Sequence, residues 1–380
     1  MRLVAGRLLW LLLCGFLPIV TLYYAIAPVA FGDRQVVDFN TNYYFAAEAI
    51  RDGVSFYSVD SYYVYSPVVA VVSVPWSLLP VGLAESIFQL LLVAVFIGTL
   101  AVLGVRDWRC YGLAFLWPPV TDGISTGNVS IVLGFLAALA WRFRDSPRAT
   151  GASVGIGIAA KFFLTPLALW LATTRRLAAA VWSLAIAAAA VLASWFVIDF
   201  RGFTDYPDVL RHVSERFGDH GYTLYALGLD IGLSPSVARG MWLALAMLLV
   251  AATVVFGSRG DDRRAFVLAL TAAIAISPIV WLHYFALLLV IVAVVQPRLG
   301  PVWFIGLPLN VFVTTGTYNG STVQTVAVLV VAALTIAMAL RPVSFRKRTL
   351  PSALRPQHDR DLVAAVESAR SGLLQKVRRV

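Results

Sequence analysis

Long apolar runs, separated by short polar and basic clusters, dominate the pattern of this chain. A membrane-spanning helix needs about 20 consecutive apolar residues, and runs of that kind recur along the whole sequence. They do not alternate apolar and polar residues as the strands of an outer-membrane barrel do. The pattern therefore predicts an all-α protein, a polytopic transmembrane helical bundle. The predicted spans are 8–30, 82–105, 178–198, 236–257, 265–282, 283–296, 301–316 and 322–340, and the one at 82–105 is clear.

Two other apolar runs leave the number of spans open. The run 67–79 is short and contains Pro75, and the run 151–172 is interrupted by Lys161 and Pro166. The bundle has about ten spans if both runs are re-entrant and about twelve if every run crosses, and we favour twelve. Broken helices at membrane depth are tolerated where they line a cavity, which suits a buried functional site.

Basic residues set the orientation of the predicted bundle, because cytoplasmic loops collect Lys and Arg. Two arginines precede the first apolar run, so the N-terminus is predicted to be cytoplasmic. The loops 31–66 and 199–235 are then external, and residues 341–380 form a basic cytoplasmic tail. We therefore expect a multi-pass protein of the cell membrane, with a transmembrane domain over residues 1–340 and both termini inside.

Composition supports the membrane class and argues against several others. Of the 380 residues, 60% are hydrophobic and 13% are charged, whereas about 25% are charged in a soluble domain. The net charge of +10 comes from clusters beside apolar runs and in the tail, without a recognisable nucleic-acid-binding motif, so we expect no nucleic-acid partner. Cys14, Cys110 and four widely separated histidines lack metal-ligand spacing, and we expect neither a metal nor another cofactor.

The first external loop, residues 31–66, combines carboxylates with many tyrosines between two apolar runs. Carboxylates beside hydrocarbon are costly to maintain, so such a cluster is a functional-site hypothesis. Asp38 stands just ahead of a predicted interfacial helix over 41–51, which Gly53 ends. Its side chain is therefore either a helix N-cap or a general base that takes a proton from a hydroxyl, and the two roles are compatible. The acids of this loop are Asp33, Asp38, Glu48, Asp52 and Asp60.

Ionisable and aromatic residues inside apolar runs supply further candidates. His283 is either a packed histidine bonded to a backbone carbonyl or part of a site, and Lys161 either snorkels to an interface or reaches a phosphate in a cavity. Trp281 and Tyr284 flank His283 and fit an interface belt equally well. Asn128 belongs to a polar hinge, TDGISTGNVS, which is either a turn or a polar lining.

The second external loop adds a basic cluster, Arg211, His212 and Arg216. At helical spacing these residues form either a solvated helix face or a contact for an anionic head group.

Four stretches, taken in this order, carry a resemblance to a known family. They are DFNTNYYFAAEAIRDGVSFYS with the following YVYSPVVAVVSVPWSLLP, then STGNVSIVLG, GIAAKFFLTPLALWLATTRR and SPIVWLHYF, and they cover most of residues 31–285. The chain resembles polytopic glycosyltransferases of the GT-C superfamily, in particular the actinobacterial α-mannosyltransferases that include phosphatidylinositol-mannoside and lipomannan enzymes. It departs from them at Ser66, where Tyr-Pro-Pro is usual, and at Asn128, where Gly-Gln is usual.

This resemblance implies an enzyme with its active site on the external face. The donor is a polyprenyl-phosphate-linked sugar, most often mannose, and the acceptor is a lipid-linked or glycolipid hydroxyl within the membrane lipids. Asp38 matches the family's catalytic base, so it would deprotonate that hydroxyl for an inverting attack, while Lys161 or His283 stabilises the departing phosphate. The substrate-binding residues are then expected to be His283, Lys161, Asn128, Tyr44, Tyr65, Trp281 and Tyr284.

The competing hypothesis is a polytopic lipid or solute transporter, or flippase. Such a protein also needs intramembrane ionisable groups, which Lys161 and His283 would provide. A transporter more often places its polar residues at the midplane between structural repeats, and the sequence shows no convincing internal repeat. A large external loop rich in acids and tyrosines, by contrast, gives an enzyme a water-accessible base. The sequence therefore favours the glycosyltransferase.

Overall fold

A computed structural model describes residues 2–32, 34–57, 62–313 and 320–341 of the chain. Across these ranges every regular element is helical, so the prediction of an all-α fold is confirmed. The compact unit that they build ends at Leu340. The predicted tail beyond Arg341 and the loop acids Asp33 and Asp60 lie outside the described residues.

Eighteen α-helices, numbered in chain order, make up the described part of the chain. They are α1 (Arg2–Leu11), α2 (Leu17–Ala30), α3 (Phe45–Arg51), α4 (Pro67–Ser73), α5 (Val81–Val102), α6 (Trp108–Phe115), α7 (Pro118–Thr126), α8 (Ser130–Arg142), α9 (Pro147–Ala160), α10 (Pro166–Thr173), α11 (Leu177–Val197), α12 (Tyr206–Phe217), α13 (Leu224–Asp230), α14 (Pro235–Ser258), α15 (Asp262–Ile276), α16 (Leu287–Val295), α17 (Leu309–Phe312) and α18 (Thr322–Ala339). Short π-helical turns lie at Leu12–Phe16 and Phe39–Tyr44, and 3₁₀ turns at Val74–Leu78, Phe162–Leu164, Leu282–Ala286 and Pro301–Phe304.

Five of these helical stretches are long and apolar enough to cross a bilayer, counted over the described ranges. They match five of the predicted spans, and they are Ala5–Ala30, Val81–Val102, Leu177–Val197, Pro235–Ser258 and Thr322–Ala339. A sixth arises if α7 and α8, which meet at a bend of 118°, count as one broken span. The polytopic membrane class is confirmed, and the count of ten to twelve spans stays a prediction because the remaining apolar helices are short.

The predicted span 265–282 is wrong at its C-terminal end. The helix α15 stops at Ile276, and Ser277 adopts an extended backbone with φ −66° and ψ 127°. Pro278 explains this, since proline disfavours a helical conformation in the preceding residue and donates no backbone hydrogen bond. A non-helical segment, residues 277–281, follows and leads into the 3₁₀ turn that carries His283.

One carboxylate joins three basic loops on a common face of the bundle. Asp262, at the start of α15, pairs with Arg144 at 3.1 Å and with Arg176 at 2.8 Å. The indole of Trp170 donates a hydrogen bond to the same carboxylate at 2.8 Å. The loops between α8 and α9, between α10 and α11 and between α14 and α15 therefore lie together, and we call their surface the basic face.

The two predicted external loops also contact each other. The guanidinium of Arg201 donates to the carbonyl of Gly53, and the hydroxyl of Tyr206 donates to the carbonyl of Val64 at 3.3 Å. The predicted interfacial helix is present as the π-helical turn Phe39–Tyr44 followed by α3. Gly53 follows its end with a φ of +68°, a conformation that favours glycine.

Small residues allow α9 to pack closely on α11. A Cβ atom at Gly151 would lie 2.5 Å from Cβ of Trp182, and one at Gly155 would lie 2.6 Å from the carbonyl oxygen of Ser183. Close backbone approach through glycines four residues apart is a common way to join helices in membranes. Beyond this contact α9 ends at Lys161, whose backbone is extended with φ −154° and ψ 110°. The sequence-based prediction that Lys161 interrupts this run is confirmed.

Candidate active site

Two cavities adjoin at the junction of the first loop, α7, α9 and the 277–286 segment. The larger one, which we call the main cavity, has a volume of about 390 Å³, and the smaller one, the histidine recess, about 90 Å³. They share Val37, Asp38 and Trp281. The main cavity is further lined by Thr41, Asn42, Tyr62, Val64, Tyr65, Asn128, Lys161, Val213, Phe217, Ile279 and Tyr284. The recess is further lined by Arg34, Gln35, Asp122, Ser125, Thr126, Leu282 and His283.

Glu85, a buried acid on α5, positions the segment that carries Asp38. Its Oε1 atom accepts a hydrogen bond from the backbone N–H of Val36 at 2.8 Å and from Nδ2 of Asn40 at 2.6 Å. These contacts hold the chain on both sides of Asp38. A buried carboxylate that lacks such donors would be destabilising, so the bonds stabilise the glutamate as well as the loop.

The predicted helix cap at Asp38 is wrong, because its side chain makes no capping hydrogen bond. The residue already has helical φ and ψ angles of −68° and −34°, whereas a capping residue has an extended backbone that folds its side chain over the first turn. Its Oδ2 atom instead accepts a hydrogen bond from Nδ2 of Asn128 at 2.9 Å. The carboxylate therefore faces the cavity.

The orientation of the Asn128 amide is fixed by two donors. Its Oδ1 atom accepts from the backbone N–H of Ser130 at 2.8 Å and from the Ser130 hydroxyl at 2.7 Å. The amide nitrogen, which can only donate, consequently points at Asp38. Gly127 makes this hinge possible, since its φ is +72° and a Cβ atom there would lie 2.4 Å from Val36 and 2.9 Å from Phe39.

His283 lies between two carboxylates. Its Nδ1 atom is 3.2 Å from Oδ2 of Asp122, within hydrogen-bond distance, and 4.0 Å from Oδ2 of Asp38. Its Nε2 atom is buried and has no hydrogen-bond partner among the described residues. The alternative of a histidine bonded to a backbone carbonyl is therefore not what the structure contains. The Nδ1 contact with a carboxylate favours a proton on that nitrogen.

Lys161 lines the main cavity and lies among aromatic rings. Its ammonium donates a hydrogen bond to the hydroxyl of Tyr284 and lies 4.1 Å from the centre of that ring and 4.8 Å from the ring of Tyr65. The Tyr284 ring in turn stacks on Phe163 at 5.3 Å. Burial raises the pKa of Tyr65 well above its usual value, so its ring faces the cation as a neutral phenol. Lys161 thus ends in the cavity and does not extend to an interface.

The structure brings seven of the eight predicted site residues to these two cavities. They are Asp38, His283, Lys161, Asn128, Tyr65, Trp281 and Tyr284. Tyr44 lines neither cavity: its hydroxyl donates to the carbonyl of Leu79 at 2.8 Å, which favours a structural role. Two residues missing from the predicted set are Asp122 and Glu85. Glu85 is an acid in a mostly apolar run, a signal that the sequence does contain, whereas Asp122 belongs to the polar hinge TDGISTGNVS.

Comparison with known proteins connects this arrangement to a family. The sequence profile of Glycosyltransferase family 87 matches residues 63–282, more than half of the chain. This chain belongs to glycosyltransferase family 87. The predicted resemblance to polytopic membrane α-mannosyltransferases is confirmed. Within the matched range lie Asp122, Asn128 and Lys161, while Asp38 lies well before its start at residue 63 and His283 directly follows its end.

Two curated relatives of the family 87 chain come from mycobacteria. A polyprenol-phosphate-mannose-dependent alpha-(1-2)-phosphatidylinositol pentamannoside mannosyltransferase of Mycolicibacterium smegmatis is 27% identical over 252 residues, which are 60% of this chain and 59% of the relative. A polyprenol-phosphate-mannose-dependent alpha-(1-2)-phosphatidylinositol mannoside mannosyltransferase of Mycobacterium tuberculosis is 25% identical over 268 residues, 61% of each chain. The chain thus spans about three fifths of the length of these relatives. No solved structure gives a significant match.

Proposed function

We propose that this family 87 protein transfers a mannosyl group from a polyprenyl-phosphate donor to a hydroxyl of a glycolipid acceptor at the external face of the membrane. The observation that carries the proposal is the placement of Asp38 and Lys161 on one cavity. A base and a phosphate-binding cation are the two groups that such a transfer requires. The names of the two mycobacterial relatives support mannose as the sugar and a phosphatidylinositol mannoside as the acceptor class.

Asp38 acts as the general base. Its carboxylate accepts the proton of the acceptor hydroxyl while the acceptor oxygen forms a bond to the anomeric carbon. The bond from that carbon to the phosphate oxygen breaks, and polyprenyl phosphate leaves with the electron pair. Attack from the side opposite to the leaving group inverts the configuration at the anomeric carbon. Asn128 holds Oδ2 of the carboxylate at 2.9 Å. Oδ1, which Nδ2 of Asn42 contacts at 3.5 Å, is the oxygen that takes the proton of the acceptor.

Lys161 stabilises the negative charge that develops on the departing phosphate. An ammonium is a compact point charge, and burial beside Tyr65 and Tyr284 makes its attraction for an anion stronger than in water. The hydroxyl of Tyr284 holds the ammonium in place. Protein cations that cover the leaving group in this way stabilise the transition state more than the ground state.

Asp122 and His283 form a hydrogen-bonded pair that positions the general base Asp38. The Nδ1 atom of His283 stands closer to Asp122 than to Asp38, so Asp122 fixes the ring and the proton on Nδ1. The resulting N–H dipole offsets the repulsion between the two carboxylates. His283 is thus a positioning residue for Asp38.

The decisive test is sugar transfer in membranes that contain matched amounts of wild type, Asp38→Asn and Asp52→Asn. Labelled polyprenyl-phosphate-mannose is the donor, and a phosphatidylinositol mannoside is the acceptor. Loss of a general base lowers rates about 10²–10⁴-fold, so Asp38→Asn should fall by this factor. Asp52 is an exposed acid of the same loop, and its variant should retain wild-type activity. Full activity of Asp38→Asn would refute the assignment of the base, and donor-independent lipid movement by the wild type would favour the flippase.

A further inference from the structure

Apart from the main cavity and the histidine recess, an apolar cavity of about 480 Å³ lies between α14 and α18. Both helices pack against α15, which forms the back wall together with α16. From α14 the lining residues include Trp242, Leu245 and Leu249, and from α18 they include Leu329, Ala333 and Ile336. The spacing of these residues places them along one face of each helix, so the cavity is an elongated slot that follows the helix axes. Its shape and lining suit a hydrocarbon chain.

One buried polar group at the end of this apolar cavity has no hydrogen-bond partner. Tyr222 lines the cavity with Thr223, is 2% exposed, and its hydroxyl is unsatisfied among the described residues. An unsatisfied buried hydroxyl costs about 1–3 kcal/mol, so its presence at a cavity wall points to a ligand that supplies the missing bond. A carbonyl oxygen beside a hydrocarbon chain, as in an acyl ester, has the required chemistry.

A polar pocket of about 330 Å³ continues from the apolar cavity, and the two share Trp242. The Trp242 indole donates to the carbonyl of Ala275 at 2.7 Å, which fixes the ring at the boundary. The charged lining residues of the polar pocket are Arg211, Glu215, Asp219 and Arg239. Two of them have other contacts as well: Arg211 pairs with Asp208 at 3.1 Å, and Asp219 with His220 at 2.5 Å.

The chemistry of the polar pocket matches a phosphodiester next to sugar or polyol hydroxyls. Arginine binds phosphate oxygens, and the carboxylates of Glu215 and Asp219 accept hydrogen bonds from hydroxyl groups. Tyr225, over which Arg239 lies at 6.0 Å, offers an aromatic surface beside them. A purely anionic ligand would be repelled by the acids, whereas a phosphorylated polyol uses both signs of charge.

The polar pocket and the main cavity lie on two sides of the same elements. Val213 and Phe217 of α12 line the main cavity, while Ser214 of α12 and Gly218, which follows it, line the polar pocket. In the segment 277–281, Pro278 lines the polar pocket and the next residue, Ile279, lines the main cavity. The two cavities are therefore neighbours across these elements.

We propose that the polar pocket and the apolar cavity together bind the glycolipid acceptor. An acyl chain fills the slot between α14 and α18, the ester carbonyl accepts from Tyr222, and the phosphodiester contacts Arg211 and Arg239. The donor does not fit here, because its phosphate is bonded to the reacting carbon and must lie beside Asp38 and Lys161. In a phosphatidylinositol mannoside, intervening sugars separate the phosphodiester from the terminal hydroxyl, so a second anion site is needed. This inference rests on the proposed function.

Two variants and a control test the acceptor site by kinetics. Arg239→Gln removes a phosphate contact, Ala333→Trp fills the slot, and Val330→Trp adds the same bulk on a half-exposed position of α18 that does not line the cavity. We expect the KM for the acceptor to rise about tenfold or more in the first two variants, as for one lost charge-assisted bond. The KM for the donor should stay within about twofold, and Val330→Trp should behave as wild type. A rise in the KM for the donor, or no change in either, would overturn the proposal.

A binding measurement separates failure of this site from failure of the proposed function. Native mass spectrometry of the full-length protein in detergent, with added dipalmitoyl phosphatidylinositol, reads occupancy without turnover. Wild type and Val330→Trp should retain the lipid, and Ala333→Trp and Arg239→Gln should lose it at equal lipid concentration. Equal retention by all four proteins, or none by the wild type, would refute the site even if mannosyl transfer is observed. Selective retention would support it even if the sugar proves to be another one.

Discussion

Nδ1 of His283 lies 3.2 Å from Oδ2 of Asp122, although 161 residues separate them in the sequence. We predict that the two residues act as a unit. His283→Gln and Asp122→Asn should each lower kcat about 10–100-fold, and the double variant should be little slower than the worse single one. The measurement is a double-mutant cycle on kcat. Losses that multiply in the double variant would show that the histidine and the acid act independently.

The activity should depend on the size of the cationic group at position 161 as well as on its charge. Removal of one charged donor from a developing oxyanion costs about 10²–10³-fold in kcat, which is the loss expected for Lys161→Gln. Lys161→Arg should remain well below wild type, because a planar, delocalised guanidinium does not reproduce the compact point charge that the ammonium places beside the rings of Tyr65 and Tyr284. Steady-state kinetics at saturating acceptor would measure this. Recovery of full activity by the arginine variant would mean that charge alone suffices.

Gly127 should be far less replaceable than another glycine of similar backbone geometry. Gly127→Ala adds a Cβ atom that meets Val36 and Phe39, whereas at Gly104, with φ +81°, nothing lies within 4 Å. We expect Gly104→Ala to lower the free energy of unfolding by about 1–2 kcal/mol from backbone strain alone. Gly127→Ala should cost about 1–3 kcal/mol more through overpacking.

Denaturant unfolding in detergent micelles, followed by tryptophan fluorescence, would compare the two glycine variants. Equal losses of stability would indicate that Val36 and Phe39 move aside without cost.

The carboxylate of Asp262 should contribute to the free energy of unfolding, whereas the nearby carboxylate of Asp145 should not. Asp262→Asn leaves Arg144 and Arg176 without their shared partner, and we expect a loss of about 1–3 kcal/mol in the free energy of unfolding. Asp145 also contacts Arg176, but its side chain is 81% exposed, so Asp145→Asn should change stability by less than about 0.5 kcal/mol. Thermal unfolding at low and at 1 M salt would test this difference, and a similar shift in both variants would contradict it.

Hydropathy predicted the long helices well because a bilayer crossing imposes a length and a composition on a single continuous segment. It predicted the shorter elements less well. The end of α15 is decided locally by Pro278, but the sequence-based span 265–282 runs through that proline because its surroundings remain apolar. At that point the local effect of Pro278 on the backbone, and not the mean hydropathy of the run, decides where the helix ends.

The site residues that the sequence predicts are those whose charge or polarity contrasts with an apolar run around them. Lys161 and His283 stand out because charge or polarity inside an apolar run requires a partner. Asp122 conflicts with its surroundings less clearly, since the hinge around it also reads as a turn. Tyr44 and Tyr65 are indistinguishable in sequence, and only the tertiary fold directs one to Leu79 and the other to Lys161. Pairings across such long sequence separations depend on helix packing, which no local pattern encodes.

Three helices begin or end at the basic face, whose loops Asp262 holds together. From it α8, α9 and α15, of 13, 14 and 15 residues, lead to Asn128, Lys161 and the segment that carries His283. At 1.5 Å per residue each helix reaches about 20–22 Å, short of a hydrocarbon core of about 30 Å. With the basic face at the cytoplasmic boundary, as the predicted orientation has it, the chemical groups would lie some 10 Å below the external boundary of the membrane. A lipid-linked sugar would not be met at the surface: its phosphate would have to descend into a protein-walled recess to react.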